Sequence, residues 1–426
     1  MEQSMHIPFM LRALELARRG GRDVRPNPQV GAVIVRNGRI IGEGYHQRYG
    51  HAHAEANALL SAREPTDGAT MYCTLEPCCY RDDSKSQPPC TEAIIEAGIR
   101  TVVVAQIDPN PRVAGAGVAQ LRSAGVDVLV GVLAQSAVLL NREFNSRMVF
   151  GRPFVHLKWA QSIDGKLATS CGDSKWITDD AARARAHRMR SENDAVLVGA
   201  GTVSADNPRL TVRHRQTAVQ PRPVVIDPAL RIREDSVLVS ERGAELILLA
   251  TAGADSRRVA RLETRGVTVL SLPGDSRGVI AVTDVVAALS QYGVDSVLVE
   301  GGARVLGAFL LAGVYDRISV FTAPTVLGTG LSPGGRDDGR WASDRPWWRG
   351  VERVADADRL VNVAVERIGD QVLHEGYSRR WLDRLTDGGA RRGADDAHAA
   401  IVDSHAAYST AAGGRTKEVQ DVYRTR

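Results

Sequence analysis

His51-Ala52-His53-Ala54-Glu55, read with Pro77-Cys78 and Pro89-Cys90 downstream, decides the first half of the chain. One imidazole and two thiolates can fill three of the four tetrahedral positions around Zn²⁺ and leave the last for water. A His-x-Glu followed by two Pro-Cys dipeptides is the residue set a zinc deaminase uses, its glutamate moving protons without binding the metal. The sequence therefore predicts His53, Cys78 and Cys90 as ligands and Glu55 as the general acid/base. Each feature alone has a duller meaning. A His-x-Glu is common on polar helix faces, and a cytosolic cysteine is most often a small buried hydrophobe. Their order, with both cysteines directly after proline, favours the metal. Eleven residues separate the cysteines, so the Cys-x-x-Cys short form does not apply, and Cys79 is the competing ligand. A closed structural zinc site would need Cys79 or His51 as a further ligand.

Composition limits the function classes. The chain has 426 residues, enough for two domains, and 43% of them are apolar and 24% charged, as in an ordinary globular protein. A net charge of +4 and 5% aromatics argue against a nucleic-acid-binding or editing module, which needs a basic face and stacking rings. Four of the five cysteines (Cys73, Cys78, Cys79, Cys90 and Cys171) fall in one short segment, which suits a metal site in a reducing compartment better than a disulfide framework. No apolar run reaches membrane-spanning length, and residues 1–20 lack the pattern of a signal peptide. The expectation is a cytoplasmic enzyme with a small-molecule substrate, binding neither nucleic acid nor membrane.

Around the opening motif the periodicity predicts an α/β layer. Met10, Leu11, Leu14 and Ala17 recur at helical spacing, and Gly20-Gly21 ends the pattern. Residues 30–35 read as a buried strand, Asn37-Gly38 as a hairpin turn and residues 39–45 as the returning strand. Residues 53–60 read as a helix with the ligand histidine near its start. A strand at 71–75 delivers Cys78, a helix opens at Pro88-Pro89-Cys90, and strand, helix and strand follow to residue 130.

These segments, taken together, resemble a known family. Pro26-Asn27-Pro28-Gln29-Val30-Gly31, Gly42-Glu43-Gly44-Tyr45-His46, His53-Ala54-Glu55, Leu75-Glu76-Pro77-Cys78, Pro88-Pro89-Cys90 and Asp108-Pro109-Asn110-Pro111 look like the deaminase half of the bacterial bifunctional riboflavin-biosynthesis deaminase/reductases. The resemblance implies a cytidine-deaminase-like three-layer domain over residues 1–149 and a pyrimidine substrate carrying a ribose phosphate. It implies substrate contacts at Asn27 and His46. The loop between the cysteines is longer than usual in the family and lacks its His-Gly pair. Lys85 is the expected phosphate partner there, with Arg81 the alternative. That departure is the only support for a rival reading, a paralogue acting on a related pyrimidine or flavin-like metabolite.

A helix over 133–148 joins the halves, and the pattern restarts at Phe154. Apolar runs alternating with helices predict a second α/β domain, over residues 150–378, with a largely parallel sheet. The dinucleotide fingerprint Gly-x-Gly-x-x-Gly is absent after its first strand. Gly199-Ala200-Gly201-Thr202 and Glu300-Gly301-Gly302-Ala303-Arg304 are weaker glycine turns, the second of which opens a helix where backbone N–H groups can approach a phosphate. Lys158-Trp159-Ala160-Gln161-Ser162-Ile163-Asp164-Gly165-Lys166, Gly172-Asp173-Ser174-Lys175-Trp176 and Ala205-Asp206-Asn207-Pro208-Arg209-Leu210-Thr211-Val212-Arg213 are, with those turns, similar to the reductase half of the same family. The resemblance implies a dihydrofolate-reductase-like fold, NADPH as cofactor and a homo-oligomer. It implies NADPH contacts at Ala160, Trp176, Thr202, Asp206, Gly302, Ala303 and Arg304, and substrate contacts at Ser174, Arg190, Leu210, Arg213 and Glu300. Arg190 and Arg213 can clamp a phosphate through their planar forks. Lys158, Asp164 and Lys166 are polar residues in a core-like strand and turn, so they are expected to face the site. Residues 379–426, polar and without an apolar period, are expected to be a disordered tail.

Overall fold

The computed structural model describes residues 2–81, 88–213, 217, 219–333, 335–336 and 351–386. The chain divides into two compact units, the first built on residues 1–140 and the second on 141–382.

The first unit runs α1 (Ile7–Ala17), β1 (Gly31–Arg36), β2 (Arg39–Tyr45), α2 (Ala54–Leu60), β3 (Thr70–Cys73), α3 (Cys90–Glu96), β4 (Thr101–Val104), α4 (Ala116–Ser123), β5 (Asp127–Val130) and α5 (Ala134–Leu140). Its five strands lie in the order β2-β1-β3-β4-β5. β1 is antiparallel to β2 and β3, whereas β3, β4 and β5 run parallel. The hairpin predicted at Asn37-Gly38 is present, both residues having positive φ. Alternating side chains feed two cores. Ile34, Met71 and Val102 pack with Ala54, Ala58, Ile94 and Leu121 on one face. Val33, Tyr72 and Val103 pack with Met10, Leu14 and Ala137 on the other. The result is the three-layer domain that the resemblance implies.

The second unit begins with α6 (Arg142–Phe150) and β6 (Phe154–Ser162), then β7 (Ala168–Thr169), α7 (Asp180–Ser191), β8 (Ala195–Gly199), α8 (Ala200–Asp206) and β9 (Arg222–Ile226). It continues through α9 (Val237–Arg242), β10 (Ile247–Thr251), α10 (Ser256–Glu263), β11 (Thr268–Leu272), α11 (Val282–Gln291), β12 (Ser296–Val299) and α12 (Ala303–Ala312). It closes with β13 (Arg317–Ala323), β14 (Gly330–Ser332), β15 (Gly335–Arg336), β16 (Leu360–Ile368), β17 (Gln371–Ser378) and α13 (Arg379–Thr386). Nine strands order as β11-β10-β9-β8-β12-β6-β13-β17-β16, parallel from β11 to β13, with β17 antiparallel to β13 and β16. One face is covered by α11 and α12, around Val285, Leu289, Leu306 and Phe309. The other packs on Ala182 and Met189 of α7, Leu238 of α9 and Leu262 of α10. No helix among the described residues is long and apolar enough to cross a membrane.

Three expectations shift. The helix expected over 133–148 is broken at Asn141, and α6 belongs with the second unit rather than ending the first. Arg147 pairs with Asp295 at 2.7 Å, and buried Ser146 accepts a hydrogen bond from the Trp381 indole at 2.8 Å. The tail expected from residue 379 begins instead as α13, whose Trp381 is 1% exposed and stacks on Tyr377. Trp381, Leu382 and Leu385 do stand at helical spacing, but eight residues are too short a run to set a helix apart from the polar sequence around it. Residues 387–426 lie outside the described residues.

Candidate active sites

In the first unit, packing brings the predicted ligands together. β3 continues past Cys73 because Thr74 exchanges backbone and side-chain hydrogen bonds with Gly31, and the Glu76 N–H donates to the Gln106 carbonyl at 2.9 Å. That path delivers Pro77-Cys78. His53 is the extended residue preceding α2, and Cys90 is the first residue of α3. α2 lies unusually close to β2. A Cβ on Gly44 would stand 2.3 Å from both the Ala54 oxygen and the Ala58 nitrogen.

His53 Nδ1 lies 3.3 Å from Cys90 Sγ and 3.5 Å from Cys78 Sγ. All three donor atoms lie within 4.8 Å of one another. A tetrahedral zinc with ordinary Zn–S and Zn–N bonds separates its sulfur and nitrogen ligands by roughly 3.6 Å. The donor set therefore fits the ion in type and spacing. Neither Cys79 nor His51 joins this group among the described residues, which favours an open coordination position over a closed structural site. The Cys90 N–H donates to Cys78 Sγ at 3.5 Å. The Cys90 and His53 side chains beside it draw the Cys78 thiol down, while the same contact with Cys78 and burial hold Cys90 up. Glu55, in the first turn of α2, is 3% exposed, and burial pushes its carboxyl up.

Asn27 and His46 meet beside this centre. The Asn27 amide reaches His46 Nε2 at 3.2 Å, and His46 Nδ1 lies 3.1 Å from the Ala52 oxygen. With Nδ1–H donating to the carbonyl, Nε2 is left as acceptor, and the ring is neutral. Burial lowers its pKa, which holds that state. Its ring stands edge-on to His53, centroids 5.4 Å apart. Sequence reasoning missed Asn57, whose amide donates to the Tyr45 and Ala52 carbonyls at 2.9 and 3.3 Å and so fixes the loop bearing His46. Its place one helical turn after His53 was the available signal. Lys85 lies outside the described residues. Arg81 is exposed and pairs with Glu92 at 2.5 Å.

In the second unit, β8, β12, β6 and β13 are neighbours running the same way, so their carboxyl ends share one edge, where open α/β sheets bind ligands. The two glycine turns emerge there. The Gly302 N–H donates to Thr202 Oγ1 at 3.2 Å. A Cβ on Gly302 would meet only that hydroxyl, at 3.5 Å, so the backbone starting α12 stays open to an anionic group. This open cradle, with Ala303 and Arg304 in the first helical turn, fits a cofactor phosphate. Half-buried Ala160 lies on β6. Trp176 is 73% exposed, with the Arg183 guanidinium 4.5 Å from its ring centre. Asp206 at the end of α8 pairs with Lys175 at 2.9 Å. Ser174 and Arg213 are exposed.

Here the structure adds to three readings. The Arg190 fork is engaged within the protein: Nε and Nη2 each donate to Glu300 at 2.7 Å, and Nη1 donates to the Thr211 carbonyl at 3.0 Å. The reason is charge balance, since in this half-buried place the guanidinium and the carboxylate each offset the other's loss of water. Leu210 is 3% exposed in the core and can offer a ligand only its backbone. Asp164 accepts from the N–H groups of Leu327 and Gly328 at 3.1 and 2.8 Å, latching a loop. Lys158 lies near enough to the pair for its charge to be felt. Burial pushes the Glu300 carboxyl up, but Arg190 and then Lys158 outweigh it and hold it at about 2. Burial lowers the Lys158 pKa, with Glu300 opposing. Lys158 and His156 sit on the α7 face of β6, two residues apart, as strand alternation requires.

Residues 3–106 match the model of the cytidine and deoxycytidylate deaminase zinc-binding region, and residues 153–349 that of the RibD C-terminal domain. A riboflavin biosynthesis protein RibD of Aquifex aeolicus is 44% identical over 365 residues, 86% of this chain and 96% of that protein. The RibD of Escherichia coli K12 is 38% identical over 379 residues, 86% of this chain and 98% of its own. A Thermotoga maritima crystal structure, described as a diaminohydroxyphosphoribosylaminopyrimidine deaminase/5-amino-6-(5-phosphoribosylamino)uracil reductase, is 36% identical with a TM-score of 0.70, covering 89% of this chain and 100% of that one. These names fall on the riboflavin reading and give the flavin-like alternative no support.

Proposed function

The chain belongs to the RibD family of riboflavin-biosynthesis proteins, and from that membership we infer how its two sites divide one reaction sequence. It is a bifunctional enzyme, a zinc-dependent deaminase followed by an NADPH-dependent reductase. The observation that carries the residue assignment is the convergence of His53, Cys78 and Cys90 beside buried Glu55.

In the first step water adds to the amino-bearing carbon of the ribosylated diaminopyrimidinone phosphate, the C–N bond breaks and ammonia leaves. His53, Cys78 and Cys90 would hold zinc, which lowers the pKa of bound water towards roughly 7. Glu55 takes a proton from the water and passes it to the departing amine. A carboxyl whose affinity for protons is raised by burial suits both transfers. Neutral His46 and Asn27 offer fixed polar contacts to the substrate, and Lys85 or Arg81 a charge for its phosphate.

In the second step NADPH, when bound, supplies hydride to the opened ribose, giving a ribityl chain. Gly302, Ala303, Arg304 and Thr202 would receive a cofactor phosphate, and Trp176, Asp206 and Ala160 the rest of the cofactor. Glu300, held ionised by Arg190, and Lys158 are placed to bind the sugar, and Lys158 to hold the accompanying proton. Ser174, the Leu210 backbone and Arg213 complete the substrate contacts. We further read the enzyme as a cytoplasmic homo-oligomer, which light scattering and cell fractionation test. A mass-spectrometric run with substrate and zinc tests the whole reading. The deaminated intermediate should accumulate without NADPH and the reduced product with it; unchanged substrate in both arms would reject it.

A further inference from the structure

A buried carboxylate that the chemistry above does not use stands two residues before a proposed ligand. Glu76 is 3% exposed. Its Oε2 accepts from the N–H groups of Asp108 and Gly115 at 3.1 and 2.9 Å, and its Oε1 from that of Val118 at 3.0 Å. Three peptide donors from one loop and the start of α4 thus close around one side chain. Charge-assisted bonds of this kind are roughly twice as strong as neutral ones.

The same loop grips the segment running to Cys78. A Cβ on Gly117 would stand 2.2 Å from the Pro77 oxygen, so α4 is pressed directly onto the Pro77 peptide. The Arg112 guanidinium lies 4.1 Å from the centre of the Tyr80 ring, beyond Cys78. From the other side, the Thr91 N–H and hydroxyl donate to the Cys78 carbonyl at 3.2 and 3.3 Å. Cys78 is therefore held between two anchors, α3 downstream and the loop gathered by Glu76 upstream.

We propose that Glu76 is a positioning residue for the metal centre: by collecting the N–H groups of Asp108, Gly115 and Val118 it fixes the backbone that presents Cys78 Sγ to the ion. The proposal rests on Cys78 being a ligand. A glutamine at this position keeps the shape but turns an NH₂ towards at least one N–H donor, leaving a buried donor unmet.

The test is zinc affinity, measured on the full-length protein by competition with a chromogenic chelator. Wild type and Cys78→Ser come first: if the serine variant holds zinc as tightly as wild type, the ligand assignment fails, independently of Glu76. With that settled, Glu76→Gln should release zinc about 10- to 100-fold more readily, the range for lost supporting contacts. It should still fold, by circular dichroism, and should reduce the already deaminated intermediate at the wild-type rate. A folded Glu76→Gln protein with zinc affinity within about twofold of wild type overturns the proposal. If Glu76→Gln does not fold, Glu76→Asp, which keeps the charge, is measured the same way. Failure of both to fold with zinc in excess also overturns it, because the carboxylate would then serve the domain and not the ligand.

Discussion

The two sites solve the same problem, holding reactive polar groups inside an apolar fold, in opposite ways. In the first unit the reactive groups stand on chain segments locked from outside. His53 and Glu55 ride α2, which is pressed onto glycines of β2, and Cys78 is held between a loop and α3. In the second unit the charged groups hold one another. Arg190 and Glu300 form a half-buried pair at the end of the parallel strands, and Lys158 stands near enough for its charge to be felt. Damage should therefore spread differently. A chemical change at Glu55 should spare the fold, whereas the same kind of change at Glu300 should harm fold and function together.

Glu55→Gln gives the largest effect and the cleanest side of that contrast. Removing a positioned proton carrier costs about 10²- to 10⁴-fold in rate. Ammonia release should fall by that factor. Zinc content, the thermal transition and turnover of the deaminated intermediate should stay as in wild type. Loss of stability comparable with the loss of rate would show that Glu55 is part of the scaffold and erase the difference between the sites.

Glu300→Gln is the opposite case. It leaves Arg190 without its carboxylate in a half-buried place, a change that costs at most the roughly 3–5 kcal/mol of a fully buried pair. Thermal unfolding of the second unit should drop and reduction should be lost, with deamination unaffected. The pH dependence gives an internal check. Glu300 is held at about 2 in the folded chain, below the ordinary value of 4.5. Its ionised form therefore adds stability that is complete above the unfolded value and is lost as pH falls from there towards about 2. The gap in stability between wild type and Glu300→Gln should narrow across that window in parallel melts. A constant gap would mean that the pair is not what the charge adds.

The same difference explains what could be read from the chain. The metal centre was legible because few residue types bind zinc, and His53, Cys78 and Cys90 lie within one short span. The strand ends that carry them were legible from alternation and from Asn37-Gly38. The second site resists that approach. Arg190 and Glu300 are far apart in sequence, and nothing local says that the arginine's fork is occupied by the glutamate instead of a phosphate. Asp164 and Lys158 looked alike, two polar residues near a core-like strand, yet one latches a loop and the other stands near the charged pair. Only the pairing of β6 with β12 and the packing of α7 separates them. Glu76 was invisible for a related reason: its partners are backbone groups, which leave no trace in side-chain pattern.

Glycine substitutions give the smallest effects and the sharpest comparison. At Gly44 an added methyl meets backbone of α2 at 2.3 Å, so helix or strand must move. Overpacking of this kind costs about 1–3 kcal/mol, and Gly44→Ala should lower the first transition by that much. Because His53 and Glu55 move with α2, deamination measured on the folded fraction should fall as well. At Gly302 the added methyl meets only Thr202 Oγ1, at 3.5 Å, and φ is ordinary for any residue. Gly302→Ala should leave both transitions within about 0.5 kcal/mol of wild type, as substitutions free of steric conflict do. It should instead raise the KM for NADPH, because the methyl fills the space kept for an anionic group against the backbone. If Gly302→Ala destabilises the protein without touching that KM, the turn before α12 is packing, as at Gly44. The glycines of the two units would then share a single role, and the cofactor cradle would have to be sought elsewhere along the strand ends.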